Sequence, residues 1–223
     1  MRAPAKMFPR RHVPLPTPDR RTPWREAEFC VLDLETTGLN LRRDEVVSYG
    51  AAIVRRARIP CGQVAYRQLR PSRPISVTAM TVHGLRAADL ADAPPIDDVL
   101  DELIDLLAGR VPVAHAAWVE RAFLDRALRP RGRRLGRMMV DTAALLRAGR
   151  LADPDTGREP DLEVAARRLG LPVHTPHHAL GDAFTTAEVL LALATRLERG
   201  RRRPLTVGDL YALSRHHHGR DMA

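Results

Sequence analysis

Lysine is almost absent from this chain: among its 36 basic residues only Lys6 is a lysine, and the rest are arginines. Cysteine is scarce as well. Cys30 and Cys61 are the two present. They make neither a disulfide framework nor a CxxC metal pair, and a reducing, cytoplasmic setting fits best. Aromatic residues amount to only 4%, which argues against a surface that binds single strands mainly by stacking. No apolar run approaches the ~20 residues of a membrane-spanning helix, so no integral membrane protein is expected. The basic N-terminus continues into prolines without an apolar stretch, so no secretory leader is expected either.

What is present suits one ordinary domain with tails. The 223 residues are 44% hydrophobic and 28% charged, enough to bury a core without covalent staples. The net charge of +9 is unevenly placed. Residues 1–25 hold seven basic side chains against Asp19, and residues 200–223 hold five arginines against Asp209 and Asp221. The stretch between them is electrically balanced. The reading is therefore a flexible, proline-rich basic arm over 1–25, a globular domain over 26–199 and a basic tail over 200–223. Such tails attract phosphate polymers without sequence preference. His216, His217 and His218 read as part of a polar tail rather than as a metal site.

Hydrophobic periodicity gives the elements. The run Phe29–Leu34 reads as a buried strand interrupted by Asp33, and 46–54 and 63–69 read as two antiparallel neighbours. Ile96, Leu100, Leu103 and Leu107 predict an amphipathic helix over 97–107, preceded by two prolines and stopped at Gly109. A short strand is expected over 111–115. Helices are expected over about 118–128, 161–169 and 178–197, the last with Leu180, Phe184, Ala187, Leu191 and Ala194 on one face. Strands followed by alternating helices and strands make a mixed-sheet α/β domain.

The chemistry is carried by carboxylates. Asp33 and Glu35 are two apart on a strand, so both project from one face at its end. Adjacent anions near a core are costly unless something cationic neutralises them. No lysine or arginine lies between Phe29 and Leu41, which leaves a divalent cation such as Mg²⁺ or Mn²⁺ as the natural counter-charge. Thr36, Thr37 and Gly38 then turn the chain. A third acid, Asp182, falls on the first turn of the long helix, five residues after His177. Glu120 faces the same site from the start of its own helix. His115 reads as a hydrogen-bonded strand-end residue, and Trp118 and Phe123 read as packing groups.

Together FCVLDLETTG (29–38), TAMTVHGL (78–85), VAHAAWVERAFL (113–124), VDT (140–142) and HHALGDA (177–183) resemble the DEDDh family of 3′–5′ exonucleases. That family includes the proofreading epsilon subunit of bacterial DNA polymerase III, RNase T and oligoribonuclease. The segments run in family order over about three quarters of the chain. The resemblance implies an RNase H-like fold, a five-stranded mixed β-sheet flanked by α-helices. It implies Asp33, Glu35, Glu120 and Asp182 as ligands of two divalent ions, Mg²⁺ or Mn²⁺, and His177 as general base. It also places Thr36, Thr37 and His83 near the terminal nucleotide and makes Asp141 structural.

The implied reaction is hydrolysis of the terminal phosphodiester of single-stranded nucleic acid at its free 3′ end, DNA favoured, releasing nucleoside 5′-monophosphates. A DNA polymerase subunit is the partner class, and any polymerase activity is expected from another chain. The departure lies in the middle segment, where the family's HNAxFD is HAAWVE here. Glu120 keeps the charge but lengthens the side chain, which Mg²⁺ tolerates less readily than Mn²⁺. The alternative is a catalytically weak nuclease-fold module that binds nucleic acid or a polymerase; an RNA-trimming enzyme is a third reading. Arg121, Arg126, Arg129, Arg131, Arg133, Arg134 and Arg137 are candidates to track the nucleic-acid backbone.

Overall fold

A computed structural model describes residues 12–152 and 159–215. In chain order the elements are β1 (Val13–Pro14), β2 (Glu28–Thr36), β3 (Val46–Arg55), β4 (Val64–Gln68), α1 (Val77–His83), α2 (Ile96–Leu107), β5 (Val111–Ala114), α3 (Trp118–Leu128), β6 (Arg133–Arg134), β7 (Val140–Asp141), α4 (Thr142–Ala148), α5 (Leu162–Arg168), α6 (Ala179–Glu198) and α7 (Val207–Arg215). The main sheet is five-stranded and mixed, in the order β4-β3-β2-β5-β7. Strands β2, β3 and β4 pair antiparallel, whereas β5 and β7 run parallel to β2. This is the α/β, RNase H-like architecture that the sequence implies.

The two-residue period of a strand divides the core into layers. Phe29 and Val31 of β2, Ala52 and Val54 of β3, and Val111 and Val113 of β5 face α4, α5, α6 and α7. Cys30, Leu32, Tyr49, Ala51 and Ile53 face the other way, onto Val99, Leu103 and Leu107 of α2 and Phe123, Leu124 and Leu128 of α3. Continuing the alternation past Val31 sends Asp33 and Glu35 toward the α6 layer. Register at the strand end is broken between Glu35 and Thr36, the kind of irregularity that re-aims side chains next to active sites.

The expected helices over 97–107, 118–128, 161–169 and 178–197 correspond to α2, α3, α5 and α6. The face of α6 does not correspond. Ala183, Ala187, Leu190 and Ala194 are buried, whereas Leu180, Phe184 and Leu191 are half-buried at the flank. Only small side chains fit where the first turns of this helix meet the sheet. Helices α1, α4 and α7 have no counterpart in the sequence reading, because each is too short for its periodicity to stand out.

Both tails are corrected over their described parts. Leu15 and Trp24 are buried, and β1 pairs in parallel with β6. The Trp24 indole N–H donates to Glu198 Oε1 at 3.0 Å, and Trp24 N–H donates to Leu205 O at 2.9 Å. Leu205, Val207 and Leu210 are fully buried in the same core. The large apolar side chains scattered among the prolines and arginines anchor both segments, which the local charge hides. Asp209 offsets part of the basic excess by pairing with Arg201 and Arg203. Residues 1–11 of the arm, and His216, His217 and His218, lie outside the described residues. Among the described residues, no helix is long and apolar enough to cross a membrane. Cys30 is buried and Cys61 exposed, and both are free.

Candidate active site

Three carboxylates from two elements meet at the end of β2. Ligand atoms of Asp33, Glu35 and Asp182 all lie within 4.8 Å of one another. Strand alternation supplies the first two. The third depends on Gly50, which pairs with Asp33 in the β2–β3 register. A Cβ built on Gly50 would stand 2.2 Å from Leu180 N and 2.3 Å from Ala179 O. The missing side chain thus lets the N-terminus of α6 settle on the sheet, one residue away from the catalytic-type acid. Gly181 does the same on the outer side, where a Cβ would stand 2.3 Å from His174 O.

The electrostatics follow from that crowding. Burial pushes the Asp33 carboxyl well above the usual carboxylate range, and the charges of Glu120, Glu35 and Asp182 push it further. Glu35 is raised to about 8 by burial and then by Asp182. Asp182 is raised to about 6 by burial, against the lowering effect of the His177 amide and ring. Among the described residues no lysine or arginine forms an ion pair with these acids. Such a set of hard oxygen donors fits a divalent cation, which would return all three to their charged form.

Glu120 is brought near but not into the trio. It lies on the first turn of α3, in the opposite helix layer, and is 5% exposed. Burial raises it to about 8, with Asp141 and Glu35 adding to the rise. Its Oε2 is buried without a hydrogen-bond partner. An orphaned buried carboxylate oxygen facing other acids is consistent with a role toward a cation, at the edge of the trio rather than within it.

The remaining predicted residues are placed as follows. His177 lies in the loop before α6 with φ of +58° and is exposed; its backbone N–H donates to Asp182 Oδ2 at 2.9 Å. Next to it, His178 stacks on Tyr66 with ring centroids 4.4 Å apart, a contact with no sequence signal. Thr36 and Thr37 are buried, and their hydroxyls donate to Gly38 O and Asp44 Oδ1, holding the turn together. His83, at the end of α1, accepts from Leu85 N–H at Nδ1, which leaves Nε2–H to donate to Thr36 O at 3.2 Å. The neutral ring is favoured further by burial, which lowers its pKa.

Asp141 is structural in its contacts. It accepts from Ala116 N–H and from Ala143 and Ala144 N–H, capping α4 and clamping the loop before α3. His115 bonds Thr142 Oγ1 and Pro160 O through its two ring nitrogens, as a strand-end residue rather than a ligand. Ala116 occupies the left-handed region with φ of +56°, where alanine costs roughly 1–2 kcal/mol and asparagine less. Ala116→Asn is therefore expected to stabilise the protein by about 0.5–1 kcal/mol, read as about 2 °C in a thermal melt.

Two expectations fail here. Trp118 does not pack: it is 47% exposed, whereas Phe123 is buried. Four of the seven arginines after Glu120 are spent inside the fold. Arg121 donates to Gly136 O and Arg137 O, Arg126 to Leu41 O and Asp44 O, Arg131 to Asp97 O and Asp101, and Arg134 to His12 O. Charge spacing in a sequence does not tell a surface arginine from one that staples carbonyls.

An RNase H-like sheet with a trio of acids at the end of its central strand and first helical turn defines a cation-assisted phosphodiester hydrolase fold. Residues 30–190 match the RNase_T exonuclease family. The chain belongs to that family, in its DEDDh 3′–5′ exonuclease group, whose members use divalent ions. It is 33% identical over 180 residues to a DNA polymerase III subunit epsilon-like protein of Rhodobacter capsulatus, covering 79% of this chain and 25% of that protein. It is 28% identical over 163 residues to a PolC-type DNA polymerase III of Clostridium perfringens, covering 73% of this chain and 11% of that protein. The chain thus spans a quarter or less of these relatives. Among solved structures, exonuclease X in complex with 5′-overhanging duplex DNA superposes with a TM-score of 0.64 and 26% identity, over 83% of this chain and 99% of that one.

Proposed function

We propose that this chain removes nucleotides one at a time from the free 3′ end of single-stranded nucleic acid, DNA favoured, releasing nucleoside 5′-monophosphates. The observation that carries the reading is the unneutralised trio Asp33, Glu35 and Asp182, all within 4.8 Å. These residues hold divalent ions, Mg²⁺ or Mn²⁺, with Glu120 completing the set from α3. Bound ions of this kind supply the positive charge that draws in the scissile phosphate and eases release of the leaving oxygen. His177 takes the proton of the attacking water; its loop position lets the ring swing toward Asp182. Thr36, Thr37 and His83 shape the pocket for the terminal nucleotide through the turn they build. The epsilon-like and PolC-type relatives support a cytoplasmic chain that works beside a polymerase.

The test is a 3′-end degradation assay on labelled single-stranded DNA and RNA of one sequence, with Mg²⁺, Mn²⁺ or chelator. Stepwise shortening that requires metal, and that is lost in Asp33→Ala, is the expected result. A folded protein that binds the strands and shortens neither with any metal overturns it. One observation favours the second reading, a binding module of weak activity: the Glu120 carboxylate stands outside the trio. Glu120→Asp separates the two, because the enzyme reading expects activity to persist and its Mg²⁺-to-Mn²⁺ ratio to rise.

A further inference from the structure

The exposed tryptophan belongs to a second feature, separate from the carboxylates. Trp118 opens onto a groove of about 410 Å³ between the first turn of α3, the strand leading into β7, and α7, lined also by Arg121, Arg137, Tyr211 and Arg215. Asp141, at the C-terminal end of β7, lies on its wall. Because β7 and β5 run parallel to β2, the groove opens at the same end of the sheet as Asp33 and Glu35. Trp118 is two residues from Glu120 on the same helical turn.

The groove's chemistry is aromatic and cationic. Arg215 lies over the Tyr211 ring at 5.8 Å and Arg20 at 5.4 Å. Arg137 and Arg215 are exposed, and among the described residues neither has an acidic partner. The acid on the wall, Asp141, already serves the backbone of Ala116, Ala143 and Ala144. A protein that uses arginines to staple its own carbonyls elsewhere leaves these two facing outward beside an indole. An aromatic face with guanidinium groups on either side matches a base stacked between sugar-phosphate links of a single strand. A protein surface would more often meet such a patch with carboxylates than with an open aromatic slot.

Resting on the exonuclease reading above, we infer that this groove is a subsite for the nucleic-acid strand upstream of its terminal nucleotide. A base stacks on Trp118, and the neighbouring phosphates lie against Arg137 and Arg215. The subsite anchors the strand between successive cuts, so it sets affinity for long strands and not for dinucleotides.

The full chain reports on this by its own fluorescence, because its other tryptophan, Trp24, is buried. In chelator, titration with a 12-nucleotide oligodeoxythymidine is expected to quench emission, and a dinucleotide is not. Trp118→Ala is expected to weaken 12-mer binding, read by anisotropy, about tenfold, with Trp118→Phe retaining most of it. Arg137→Ala with Arg215→Ala is expected to reduce the salt-dependence slope by roughly two. Unchanged emission at saturation, wild-type affinity in Trp118→Ala, or no 12-mer binding at all overturns the inference and assigns the groove another occupant. The degradation assay reads separately: strands shortened by a protein whose binding ignores Trp118 sink the subsite alone. Trp118-dependent binding without shortening under any metal sinks the enzyme reading alone.

Discussion

Asp33→Asn is expected to remove exonuclease activity and, in metal-free protein near pH 8, to raise thermal stability. The first effect follows from losing a carboxylate of the trio, whose interaction with a cation stabilises transition-state charge by several kcal/mol; a loss of at least about 10³-fold in rate is expected. The second follows from the direction of the pKa shifts. Without metal, Asp33 is held above the carboxylate range by burial and by three neighbouring acids, and Glu35 is raised to about 8. A raised carboxyl binds its proton more tightly in the folded chain than in the unfolded one. Between the unfolded value near 4 and the folded value, stability therefore falls as pH rises. The amide removes one of these charges and relieves its neighbours.

The expected gain at pH 8 is on the order of 2–3 kcal/mol, or roughly 5–10 °C in a thermal melt, and it should vanish at pH 4. Millimolar Mg²⁺ or Mn²⁺ is expected to stabilise the native sequence at pH 8 more than at pH 5, and to leave Asp33→Asn little changed. Melts of both proteins across pH 4–8, with chelator and with metal, check all three statements. Equal pH slopes for the two would show that the trio is not under strain.

Gly50→Ala is expected to be among the most damaging single-methyl changes in the protein. The added Cβ would sit 2.2 Å from Leu180 N and 2.3 Å from the carbonyl carbon and oxygen of Ala179. All three are backbone atoms, so no side chain can rotate away and α6 must lift from the sheet. The cost is expected to exceed about 3 kcal/mol, at the upper end for overpacking. Activity should fall further than stability, because lifting the first turn of α6 carries Asp182 away from Asp33. A metal titration followed by calorimetry separates the two effects. Folded Gly50→Ala at low temperature is expected to bind Mn²⁺ at least tenfold more weakly. By contrast, Gly109→Ala, whose Cβ meets nothing within 4 Å, should suffer only from its φ of +78°.

Much of this was legible in the chain. Alternation in Phe29–Leu34 gives the central strand, Ile96, Leu100, Leu103 and Leu107 give α2, and the order of the acidic motifs gives the family. Periodicity and motif spacing are local properties, and a sequence displays local properties directly. The trio was legible in part. Asp33 and Glu35 share a face by strand geometry alone, and Asp182 joined them through its family motif. Glu120 was placed with them by the same alignment, but its helix leaves from the opposite layer, so its carboxylate ends at the rim of the trio.

Other features carried no sequence signal. Tyr66 supports His178 across the sheet edge, and Arg126 reaches 80 residues back to staple the turn after Thr37. The apparently flexible ends were misjudged because proline and arginine dominate their composition, while a few side chains, Leu15, Trp24, Leu205 and Leu210, decide their packing. The sequence by itself determined the sheet, the principal helices, the family and the acids of the site, all of which are set by residue type and short-range spacing. Only the tertiary structure decided how closely α6 approaches β3, which arginines remain free, and that Trp118 faces solvent. Those depend on which distant backbones touch, and contact at a distance leaves no period in the chain.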